Sequence, residues 1–89
     1  MDTYLSDLAN YELEQRIDSI NCEIGVLRVN IERLDGYIST FNRLLENPEY
    51  LNQADLFLGA LGYLTLDRDR YQWEIRSLET TLDKLENRH

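Results

Sequence analysis

The sequence predicts an all-α protein, an antiparallel helical hairpin with coiled-coil heptads. Three observations predict it. Leu13, Ile17, Ile20, Ile24, Leu27, Ile31, Leu34, Ile38, Phe41 and Leu45 are spaced alternately by four and three, which keeps them on one face of a helix. Tyr50, Ala54, Phe57, Leu61, Leu64, Arg68, Tyr71, Ile75, Leu78, Leu82 and Leu85 repeat the pattern, and only Arg68 breaks it. Between the two runs lies Asn47-Pro48-Glu49, where a helix must stop and another can start. At 89 residues the chain is read as one domain. Its expected division is helix one over about 11–46, a turn at 47–49 and helix two over about 49–87.

Thr3, Ser6 and Asn10 can each cap a helix start. The seam begins only at Leu13, so a short turn containing Tyr4, Leu5 and Leu8 is expected before a main helix capped at Asn10. Along helix one, Cys22, Val26 and Val29 form a second, narrower apolar stripe, with Gly25 and Gly36 beside it. A glycine inside a helix costs about 1 kcal/mol relative to alanine. Two of them there point to close approach by another helix, and Cys22 is expected to be a small buried or half-buried side chain.

Proline lacks the N–H that an interior helical position needs but suits a first turn, and Asn47 is a good N-cap directly before it. Folding back at Asn47 pairs seam residues whose numbers sum to about 95, such as Ile31 with Leu64. Within helix two, Leu56 to Leu66 is apolar or small nearly all the way round. A lone hairpin would leave part of it in water, so cover by another chain is expected. Gly59 and Gly62 also permit a break near 59–65, with a third helix starting about Thr65. From Asp67 onward, alternating charges read as a solvated face of i,i+3 and i,i+4 pairs.

Seventeen acids against nine bases leave a net charge of −8, with a pI near 4.4. That balance argues against direct nucleic-acid binding and against an anionic membrane surface. Much of the negative field lies in residues 1–24, where Asp2, Asp7, Glu12, Glu14, Asp18 and Glu23 face Arg16 alone. One cysteine permits no internal disulfide, and neither a secretory leader nor a membrane-spanning stretch is seen, so the expected location is cytoplasmic.

The inventory for chemistry is poor. His89 is the sole histidine, at the end of the sequence, and no His or Cys lies near Cys22 to suggest a metal. No phosphate-binding glycine loop is present, since Gly59-Ala-Leu-Gly62 lacks the lysine and the preceding strand. No catalytic, cofactor or metal residues are assigned, and the protein is not expected to be an enzyme. It is expected to be a protein–protein interaction module, an adaptor, small chaperone or inhibitor. It would self-associate as a dimer or higher oligomer, in a four-helix or larger assembly.

Its interface is expected at Val26, Val29, Leu56, Leu58, Tyr63, Leu66 and Trp73, exposed aromatics being enriched where interfaces concentrate energy. A second reading is an acidic inhibitor occupying a basic nucleic-acid-binding site, as small acidic proteins of mobile elements do. A third is an oligomeric binder of an anionic small ligand through Arg68 and Arg70. The structural role for Arg68 is a seam residue whose stem packs while its head reaches Glu23.

Overall fold

Pro48 decides the architecture. Its ring disfavours the helical region for the residue before it, and Asn47 accordingly takes φ −87° and ψ 120°, ending the first helix at Glu46. The Asn47 side chain then accepts a hydrogen bond from the Glu49 backbone N–H at 3.0 Å, capping the helical turn that begins at Pro48. A computed structural model describes residues 2–87, with side chains from Ser6. It consists of α1 (Asp2–Glu46), a 3₁₀ helix (Pro48–Gln53) and α2 (Ala54–Glu86). The chain is an all-α helical hairpin, and no strand occurs among the described residues. Its radius of gyration, 20.6 Å, far exceeds the roughly 12 Å of a compact fold of this length.

Two boundaries differ from expectation. First, α1 does not start at Asn10 after a short turn but runs unbroken from Asp2. Residues 2–10 contain no glycine or proline, and Asn, Ser, Thr and Asp each cost only some tenths of a kcal/mol inside a helix, too little to stop one already propagating. Second, the chain enters α2 through six residues of 3₁₀ helix, so the α-helix begins at Ala54 rather than near 49. The alternative break near 59–65 does not occur, and α2 passes through Gly59 and Gly62 without interruption, as the main reading expects. His89 lies outside the described residues.

The core is a single thin layer. Ile20, Ile24 and Leu27 of α1 are buried with Ile75 and Leu85 of α2, and Leu13, Ile17, Ile31, Tyr71, Leu78 and Leu82 pack against them. All belong to the two apolar runs. Among the described residues no side chain is fully buried, as expected where each helix has one neighbour. At the turn end, Phe57 lies against Phe41 with ring centroids 5.6 Å apart, and Tyr50 meets Phe57 edge-on at 6.0 Å.

Cys22 is exposed, not buried or half-buried. It sits two residues beyond Ile20, about 200° round the helix, and so points away from the one neighbouring helix. The close approach expected at the glycines is likewise absent within the chain. A Cβ built on Gly25 or Gly36 meets nothing within 4 Å. Gly25→Ala and Gly36→Ala should therefore each stabilise the hairpin by about 0.5–1 kcal/mol in urea denaturation. A loss of stability at either position would show that another chain covers it.

Candidate interaction surface

The two helices share one seam, so whatever lies opposite it on either helix faces outward. On α1 that side carries Val26 and Val29, at 56% and 54% exposure. On α2 it carries Leu56, Tyr63, Leu66 and Trp73, with Leu58 on the flank of the helix, all at 55–77%. All seven residues expected at an interface are thus uncovered in the single chain. They do not form one patch. The outward sides of α1 and α2 point in opposite directions, and Val26 and Val29 are separated from the α2 group by the thickness of the hairpin.

The α2 group is the larger. From Leu56 to Leu66 there is no charged residue, and Leu56, Tyr63 and Leu66 follow a spacing of seven then three along one side of the helix. An open groove of about 450 Å³ runs beside them, lined by Phe41 of α1 and by Leu56, Phe57, Gly59, Ala60 and Tyr63 of α2. Asp55 is the one charged group on its walls. The groove exists because Gly59 and Ala60 leave the helix backbone nearly bare between two projecting side chains. Leu51, at 74% exposure in the 3₁₀ helix, extends the apolar surface toward the turn.

Trp73 lies further along α2, with the Arg76 guanidinium 5.3 Å above its ring. A cation over an exposed ring contributes about 0.5–1 kcal/mol. Tyr11 and Tyr37 are exposed on α1, and sequence reasoning did not single them out. The signal was available, since neither belongs to the apolar run.

The arginines are engaged. Arg68 donates from one guanidinium nitrogen to Asp35 at 3.3 Å, and its Nε lies 3.7 Å from Asp69. Arg70 is 3.3 Å from Asp67, one turn before it. The partner of Arg68 is Asp35, not the Glu23 expected from the sequence. A helical side chain leans toward the N-terminus of its own helix, which for α2 is the turn end, and Asp35 lies on that side of Arg68 while Glu23 lies on the other. Each cation thus stands beside at least one carboxylate that a free anion would have to displace.

The Arg68–Asp35 pair is only partly shielded, with side chains 30% and 53% exposed. Asp35→Asn should cost less than about 1 kcal/mol in thermal or urea unfolding. A cost of several kcal/mol would mark the pair as essential to the seam.

Among the described residues no group of three or more His, Cys, Asp or Glu side chains is placed to hold a metal ion. No described helix is long and apolar enough to cross a membrane. No family model, curated protein or solved structure matches the chain.

Proposed function

We propose that this protein is a non-catalytic protein–protein interaction module, an adaptor, small chaperone or inhibitor, whose working surface is the outward side of α2. The observation that carries the reading is the uncharged stretch Leu56–Leu66, with Leu56, Leu58, Tyr63 and Leu66 left 55–77% exposed on a continuous helix. Contiguous apolar surface of several hundred Å² marks interaction sites on soluble proteins. A chain of charge −8 has ample polar residues to cover that surface and does not. The 3–4 repeats of the seam fit coiled-coil packing, which makes the hairpin a stiff rod that presents this surface without reorganising. Self-association and capture of another protein both use a surface of this kind.

Photo-cross-linking tests the reading. A benzophenone residue in place of Leu66 should give adducts with protein in the producing cell, and one in place of Glu79, exposed farther along α2, should not. Leu58→Glu should lower the Leu66 adducts at least tenfold. Equal yields from the two probes would refute the reading.

One observation favours a second role, inhibition of a basic nucleic-acid-binding site. Asp7, Glu12, Glu14, Asp18 and Glu23 lie along the first half of α1, and all but the neighbouring seam residues there are open to solvent. Binding by that surface should weaken steeply as salt rises, because paired charges release counterions when they meet. Binding through Leu56–Leu66 should barely change. The anion-binding role for Arg68 and Arg70 has less support, given the carboxylates beside both.

A further inference from the structure

We infer that the occupant of the α2 groove is a second copy of this chain, crossing the first antiparallel at Gly59–Ala60 so that the two acidic ends point apart. The inference rests on the reading that this surface is a docking site, and it commits that surface to one partner and one geometry.

Self-complementarity is the first argument. A two-fold interface requires that if residue i meets residue j, then j also meets i. Two α2 helices crossing antiparallel about the midpoint of Gly59 and Ala60 pair residues whose numbers sum to 119. Leu56 then meets Tyr63 of the other copy, and Tyr63 meets Leu56. Gly59 meets Ala60 at the centre. The two most exposed side chains of the stretch, at 71% and 77%, thus each fall on the other, while the two smallest residues meet where the backbones must come closest. The groove of about 450 Å³ flanking Gly59 and Ala60 provides the recess, and a Cβ at Gly59 has nothing within 4 Å to obstruct it.

Charge is the second argument. Two chains of −8 repel, and the repulsion is least where charge is lowest. Residues 56–66 carry none, whereas residues 1–24 carry six acids against one base, a balance of −5. A parallel pairing would lay those acidic segments side by side. The antiparallel crossing sends them to opposite ends of the assembly.

Area is the third. Burying Leu56, Tyr63 and Leu66, which share the crossing face, removes on the order of 400 Å² of side-chain surface per chain from water. With neighbouring atoms added, the interface falls at the small end of the range, that of weak, transient dimers.

The native cysteine supplies the test. Cys22 is exposed and is the only cysteine, so a nitroxide label needs no substitution. In the hairpin Cys22 lies level with residue 73, about 20 Å along the rod from the crossing point at 1.5 Å per residue. The two labels should then be about 50–60 Å apart across the dimer, against about 35–45 Å in a parallel pair, where only the width of two hairpins separates them. Light scattering should give the mass of two chains at tens of micromolar.

Leu56→Glu with Tyr63→Glu should give the mass of one chain with unchanged helical circular dichroism. Gly59→Gln, which fills the recess at an exposed position, should weaken the dimer at least tenfold. A single chain at all concentrations, a larger assembly, a label distance under about 45 Å, or a dimer indifferent to these variants would each overturn the inference. The cross-linking result separates the two claims. Adducts at Leu66 with other proteins and a monomeric chain would leave the interaction reading standing and remove this one, whereas no adducts would remove both.

Discussion

Ile24→Ala should cost about 2–5 kcal/mol, enough to unfold a large fraction of the protein at room temperature. Ile24 is 5% exposed and sits between Ile20 and Leu27 in the buried cluster that also contains Ile75 and Leu85. Its truncation removes apolar contacts and leaves space that a stiff rod cannot easily close. A domain with several core layers has stability in reserve, whereas this hairpin has one layer and no fully buried side chain among the described residues. Val26→Ala, two residues away but 56% exposed, should change stability by less than about 0.5 kcal/mol. Urea denaturation followed by helical circular dichroism, at one fixed protein concentration, compares them directly. Equal costs at the two positions would mean that the seam does not hold the hairpin together.

Deleting Gln72 should be more damaging still. Gln72 is exposed, and Gln72→Ala should be nearly silent. Removing the residue altogether turns everything beyond it by about 100° about the helix axis. Ile75, Leu78, Leu82 and Leu85 then leave the seam together, two of them buried and two packed against the cluster. At about 1.5–3 kcal/mol for each of the two buried side chains and about half that for the two partly buried ones, the loss is roughly 4–9 kcal/mol, a large part of what a small domain has in total. The second half of α2 and the part of α1 facing it should lose amide-exchange protection, while the turn end, held by Phe41, Phe57 and Tyr50, keeps more of its own. Unchanged protection beyond residue 72 would show that helix phase is irrelevant to this fold.

Both expectations rest on the feature most legible in the sequence. The buried cluster and the residues packed against it come from the two 3–4 runs on both helices, because burial against a single neighbour selects one narrow stripe. The turn is equally legible, since Asn47 before Pro48 acts through local sterics that require no tertiary context. The start of α1 is not. Thr3, Ser6 and Asn10 are all competent caps, and a cap-forming residue does not end a helix that neighbouring residues are able to continue. The 3₁₀ entry to α2 is hidden as well, because proline at a first turn suits α and 3₁₀ geometry alike.

For the candidate surface, the sequence locates the exposed apolar residues but not their division. Val26 and Trp73 read alike as off-seam residues, and only the fold puts them on opposite sides of the rod. Cys22 reads as buried because glycine and valine beside it imply a second neighbouring helix that the single chain lacks. Asp35 as the partner of Arg68 is within reach of sequence reasoning, since the direction in which helical side chains lean depends on backbone geometry alone.

Energy transfer from Trp73 to an acceptor on Cys22 tests the fold-back itself, with the only tryptophan and the only cysteine of the chain. The two positions sum to 95 and so stand level on opposite outer faces. In a hairpin with helix axes about 10 Å apart, the probes should be about 20 Å from each other. With labelled chains diluted enough to be single, efficient transfer at that distance is the predicted result. A separation near ~75 Å, that of a helix continuing straight through Pro48, would contradict it.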